Sequence, residues 1–171
     1  LIDLHSHPAY NTLPLWTEPG RTEPWLNHNT WTGARTYHSA VVWPAGILGY
    51  AAGPALLAYI GLKALVGGTT AIQGSVTKPK LTRPYLVRVV ENDQPGARFD
   101  PVRASTLPVL DAGKLTGYVQ AMQAGVGFLY HCAEGRPGTV VSKEYDVLAR
   151  ASGLREELIA VHCCALDADD F

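Results

Sequence analysis

Two apolar runs near the C-terminus, "GFLYHCAE" (127–134) and "ELIAVHCCAL" (157–166), bracket a stretch of helical pattern from Ser142 to Ala151. Each run is too continuously apolar for a strand with one face in water, which points to strands buried on both sides. Strand, helix and strand in that order predict a right-handed crossover within a parallel sheet. Ser142, at the head of the helical stretch, is the expected N-cap.

The same alternation runs upstream. Leu1 to Leu4 is a short apolar lead-in. Pro54 to Val66 reads as a helix, with proline suited to its first turn and Gly67–Gly68 closing its end. "TTAIQ" (69–73) and "YLVRVV" (85–90) read as strands, residues 91–101 as turns, Val102–Leu107 as a further weak strand, and Lys114–Ala124 as a helix. The fold class is therefore α/β, and either an open doubly wound sheet or a barrel satisfies the pattern.

Two segments interrupt that rhythm. Residues 8–40 are rich in Pro, Asn, Thr, Trp and Gly and read as a long loop, and three of the four tryptophans (Trp16, Trp25, Trp31) lie in it. Loops of that length inside a domain are commonly functional. From Val41 to Leu62 the chain then reads "VVWPAGILGYAAGPALLAYIGL" without a charge. That is the length of a membrane span. Pro44, Pro54 and glycines at 46, 49, 53 and 61 argue against one continuous helix, and no basic flank marks a cytoplasmic side. A loop followed by a buried helix is the expectation here, with no membrane partner.

Composition excludes further classes. The 171 residues carry 14 basic and 15 acidic side chains, for a net charge of −1, with no basic run to grip a nucleic-acid polymer. Three cysteines are too few and too oddly placed for a disulfide scaffold, so a reducing, cytoplasmic setting is expected. Both ends read as cut: the chain starts within an apolar run and stops soon after another.

The polar residues that stand out are histidines at the ends of apolar strands. His5 and His7 end the first, His131 ends "GFLYH" and His162 ends "LIAVH". Alternation along a strand gives His5 and His7 a common face. Paired imidazoles suit one zinc or iron ion. Taken singly, each histidine reads as an ordinary core or edge residue. The gathering of four at strand C-termini is what raises them. His28 and His38 fall in the long loop and receive no role. Glu134, three residues beyond His131, is placed to move protons near a metal site.

These residues sit in four segments, "IDLHSHPA" (2–9), "ALVGGTTAIQGS" (64–75), "FLYHCAEG" (128–135) and "IAVHCCAL" (159–166), that together resemble the amidohydrolase superfamily. The H-x-x-E form of "HCAE" is most similar to its guanine-deaminase and triazine-hydrolase branch. The resemblance implies a partial (β/α)8 TIM barrel covering strands one to about six. It implies that His5, His7 and His131 are metal ligands, and that His162 either binds the metal or hydrogen-bonds the water or substrate. It makes Glu134 the proton shuttle, one zinc (or iron) ion the cofactor, and a small nitrogenous compound the substrate. The activity implied is hydrolysis of non-peptide carbon–nitrogen bonds. A catalytically incomplete metal-binding fragment is the alternative, and unpaired strand edges would favour self-association into a homo-oligomer.

Two departures from the family pattern stand out. The aspartate of strand eight has no counterpart, because Asp167, Asp169 and Asp170 fall directly after the sixth strand. No lysine is placed to bridge two metals, since Lys78 and Lys80 follow the second strand. Cys132 and Cys163, one residue after a histidine, are expected to pack toward helices, and Cys164 to share the face of His162.

Overall fold

A computed structural model describes residues 1–73, 86–89, 99–101 and 112–171. The strand expected over Val102–Leu107, the outer residues of the 85–90 strand, most of the turn-rich stretch, and Lys78 and Lys80 lie outside the described residues. Within them the strands are β1 (Ile2–Asp3), β2 (Ala71–Ile72), β3 (Arg88–Val89), β4 (Phe99–Pro101), β5 (Gly127–Cys132) and β6 (Leu158–His162). The helices are α1 (His28–Thr32), α2 (Arg35–Tyr37), α3 (Trp43–Ala51), α4 (Gly53–Val66), α5 (Ala112–Gln123) and α6 (Glu144–Arg150). The chain divides into two compact units, Leu1–Gly20 with Ala34–Ala97 and Arg21–Gly33 with Arg98–Phe171. Each holds one three-stranded parallel sheet, in the order β1-β2-β3 and β4-β5-β6. Among the described residues neither sheet closes into a barrel.

In the first unit the strands are only two residues long, but their pairing continues past them. Gln73 N–H donates to Asp3 O at 2.7 Å, and Ser6 N–H donates to Gln73 O at 3.2 Å. The Ser6 hydroxyl donates to the same carbonyl at 2.6 Å. The segment carrying His5 and His7 is thus held beside the end of β2. The α4 helix buries Leu56, Leu57 and Ile60 against Ala9 and Leu48. Gly61 lets the helix approach Leu86, whose Cβ would lie 2.7 Å from a Cβ built at position 61.

The loop expected before α4 is helical instead. From Arg35 the chain winds through α2, a π turn at His38–Val42 and α3. Pro44 has no N–H to give the ladder, and the wider turn just before it absorbs the defect: Trp43 N–H reaches back to His38 O. The break comes at Ala52 (φ −136°), after which α4 starts with Pro54 in its first turn. The two helical stretches, Arg35–Ala51 and Gly53–Val66, meet at 112°, and no single described helix is long and apolar enough to cross a membrane.

The second unit has the larger core. Leu115, Val119 and Met122 of α5 pack on Phe128, Tyr130 and Cys132 of β5, and on Val141, Leu148 and Ala165. From Phe128 to Cys132 every residue of β5 is buried, as expected for the middle strand of a covered parallel sheet. Tyr118, Phe128 and Tyr130 stack in sequence, with centroids 4.7 and 5.6 Å apart.

The crossover helix departs from expectation at its start. A 3-10 turn over Val140–Lys143 precedes it, so the helix begins at Glu144 and Lys143 occupies the cap position. Ser142 instead accepts from Gly138 N–H at 2.9 Å, tying off the preceding turn. The other end closes with a left-handed residue, Ser152 (φ +58°). There Gly153 N–H bonds Leu148 O at 2.7 Å and Ser152 N–H bonds Ala149 O at 3.0 Å.

Candidate metal centre

In the first unit, His5 and His7 lie beyond the last residue of β1 rather than on it. Asp3 Oδ1 accepts His5 N–H at 3.0 Å and starts the turn. The two imidazoles nevertheless meet: their Nε2 atoms are 3.2 Å apart and their rings cross edge to face at 4.7 Å. Two nitrogens ~2.1 Å from a tetrahedral ion stand ~3.4 Å apart. The separation therefore fits two ligands of one ion as well as it fits a hydrogen bond. Tyr10 stacks on His7 at 5.9 Å.

In the second unit, His131, Glu134 and His162 come together at the C-terminal ends of adjacent strands. The parallel register pairs His131 with Val161 and Cys132 with His162. Strict alternation would set the two histidines on opposite faces. The backbone breaks the alternation: His162 and Cys163 have φ of +73° and +54°. The His131 and His162 rings cross at 5.2 Å. Non-glycine residues at such angles cost about 1–3 kcal/mol each and gather where a site fixes them.

Ala133 is also left-handed, at φ +51°. It turns the chain so that Glu134 folds back toward the histidines. Its Oε2 lies 3.7 Å from His131 Nδ1 and 3.6 Å from His162 Nε2, both beyond hydrogen-bond range. That oxygen is buried and accepts no hydrogen bond. Burial pushes the carboxyl up to about 7. Beneath the turn sits Glu144, fully buried at the head of α6, and its Oε2 accepts Ala133 N–H at 2.8 Å. Burial, together with the Glu144 carboxylate and Cys132, holds the Tyr130 phenol well above the ordinary tyrosine range.

The raised Glu134 carboxyl has a consequence for stability. The folded chain holds this proton more tightly than the unfolded chain does. The associated stability is complete below the unfolded value near 4.5 and is lost as pH rises through about 7. In chelator, the melting temperature is expected to fall between about pH 4.5 and about pH 7, and Glu134→Gln should flatten that fall. Equal slopes for the two proteins would contradict a buried, easily protonated Glu134.

One neighbour was given no role by the sequence. His28 enters this site from the 21–33 segment, which is stitched to the loop after β5. Asn27 and Gly135 form an isolated antiparallel bridge. His28 N–H donates to Glu134 O at 3.0 Å, and Arg136 N–H to Leu26 O at 2.8 Å. His28, His131 and Glu134 each offer a ligand atom within 4.8 Å of the others. Two imidazoles and a carboxylate are a donor set that zinc uses. A signal existed in "NHNT" (27–30): Asn27 and Thr30 exchange local hydrogen bonds that start a short helix within the loop.

Other expected residues fall elsewhere. Cys132 is in the core, Cys163 packs half-buried against it, and Cys164 is exposed with its Sγ 3.5 Å from Ala133 O. Asp167, Asp169 and Asp170 are engaged with one another's backbone: Asp169 N–H donates to Asp167 Oδ1, and Asp167 N–H to Asp170 Oδ2, each at 3.0 Å.

No protein-family model matches the chain. No curated protein matches it, and no solved structure does.

Proposed function

We propose that the chain belongs to a metal-dependent hydrolase, related to the amidohydrolases, that acts on carbon–nitrogen bonds of a small nitrogenous compound. What supports this most is the convergence of His131, Glu134 and His162 at the C-terminal ends of two adjacent parallel strands, where an α/β enzyme carries its chemistry. In this reading His5, His7 and His131 hold one zinc or iron ion, the role the resemblance gives them. When bound, the ion supplies Lewis acidity and brings water ionisation into the neutral range. Glu134, with a carboxyl near 7, takes a proton from water and returns it to the leaving nitrogen. His162 orients the water or the substrate from beside Glu134. The barrel architecture and the cytoplasmic setting belong to the same reading.

A second reading is metal binding without turnover. It is favoured by Asp167, Asp169 and Asp170, which cap one another's turn.

The test uses zinc-loaded full chain and a panel of aromatic amines, with ammonia release as the readout. Release is expected from the parent. The His5→Ala/His7→Ala double variant is expected to lose that release and to bind zinc at least about tenfold more weakly, the loss typical of disturbed metal sites. Unchanged zinc affinity in the double variant would refute the ligand assignment. Zinc binding by the parent without ammonia release would select the second reading.

A further inference from the structure

We propose that His28, His131 and Glu134 form an alternative seat for a divalent transition-metal ion, one that draws on neither His5 nor His7. All three belong to the second unit, and their ligand atoms lie within 4.8 Å of one another. The seat is held by backbone rather than by chance side-chain proximity. His28 N–H donates to the carbonyl of Glu134 itself at 3.0 Å, so the backbones of these two residues are tied to each other. The neighbouring Asn27–Gly135 bridge leaves no slack. A Cβ built on Gly135 would stand 2.6 Å from Leu26 O and 2.8 Å from both Asn27 Cβ and Val141 Cγ2.

The side chains are set as well. The His28 ring meets the edge of Trp31 at 4.9 Å and lies 6.3 Å from the His131 ring. Thr32 Oγ1 donates to His28 O at 2.8 Å and secures the turn that carries it. The buried Glu134 Oε2, which accepts no hydrogen bond, is the acceptor such a cation would satisfy. Two nitrogens and one oxygen select zinc, cobalt or iron(II) over calcium or magnesium, and leave a fourth position open.

This seat exists whether or not the chain is a hydrolase. If the hydrolase reading holds, an ion seated here occupies the carboxylate assigned to proton transfer, and excess zinc inhibits turnover.

Cobalt(II) titration of chelator-stripped full chain, read by visible absorption and equilibrium dialysis, tests it. In the His5→Ala/His7→Ala background, one equivalent of cobalt is expected to bind. Adding His28→Ala should weaken that binding at least about tenfold. Glu134→Gln in the same background gives an independent reading should the His28 variant fail to fold. No cobalt binding by the double variant, or binding insensitive to both added substitutions, would overturn the proposal. The two assignments fail separately. Binding by the parent that needs His28 and Glu134 but not His5 and His7 upholds this seat and removes the other. Dependence on His5 and His7 alone does the reverse.

Discussion

Turnover in the Glu134→Gln variant is expected to fall by about 10²–10⁴-fold while zinc affinity stays near the parent's, the loss typical of removing a general acid–base group. The substitution keeps size and shape but cannot carry the proton. Glu134 suits the task because burial leaves its carboxyl near 7, where it is both a competent acceptor and a competent donor at neutral pH. It also faces imidazole nitrogens on two strands, at 3.7 and 3.6 Å. Ammonia release under zinc saturation, measured beside metal content, separates the outcomes. A variant that kept both activity and metal would exclude Glu134 from proton transfer. A variant that lost both would mean that its carboxylate holds the ion in the working enzyme.

The second large effect concerns Glu144, which never touches the histidines. Glu144→Ala is expected to destabilise the fold by about 3–5 kcal/mol. Part is the Ala133 N–H left buried without its acceptor, about 1–3 kcal/mol. The rest is the cavity left by a fully buried side chain, partly relieved by local collapse. Glu144→Gln keeps an oxygen for the same N–H and should cost only about 1 kcal/mol. Denaturant unfolding of the three proteins provides the comparison. Equal loss in both variants would mean that the charge, not the hydrogen bond to Ala133, is what the fold needs. Because Ala133 is the left-handed residue that aims Glu134, the alanine variant should also lose ammonia release out of proportion to its unfolded fraction.

The alternation of apolar runs and helical stretches pointed to parallel pairing, and the described strands pair in parallel throughout. Periodicity was sufficient there because strands buried on both faces leave an unbroken apolar run, as in β5. It failed between Arg35 and Ala51, where proline and glycine content pointed to a loop. A π turn just ahead of Pro44 keeps the helix going, and composition carries no trace of that. His131, Glu134 and His162 were singled out from their places at strand ends, and the three side chains do lie near one another. Their actual meeting depends on left-handed backbone at Ala133, His162 and Cys163, three non-glycine residues that nothing in the sequence marks for those angles. Glu144 was invisible for a different reason. A glutamate in the first turn of a helix ordinarily faces water and favours the helix dipole, so its burial is set by the neighbouring turn. His28 lay too far along the chain from Gly135 for a bridge between them to be foreseen.

The two parallel sheets differ in how much chain each must organise before it forms. Pairing β1 with β2 closes a loop of about 70 residues, whereas pairing β5 with β6 closes about 30, a difference worth ~0.7 kcal/mol of closure entropy. The first sheet recovers little of this, because each of its strands contributes two residues where β5 and β6 contribute six and five. The β5–β6 pair is therefore expected to form first, and the segment bearing His5 and His7 to dock late and open early. Amide hydrogen exchange should report this as faster exchange at Ser6 and Gln73 than at Tyr130 and His131. The same protein would then offer its two groups of histidines with different lifetimes, one breathing on and off its sheet while the other stays assembled.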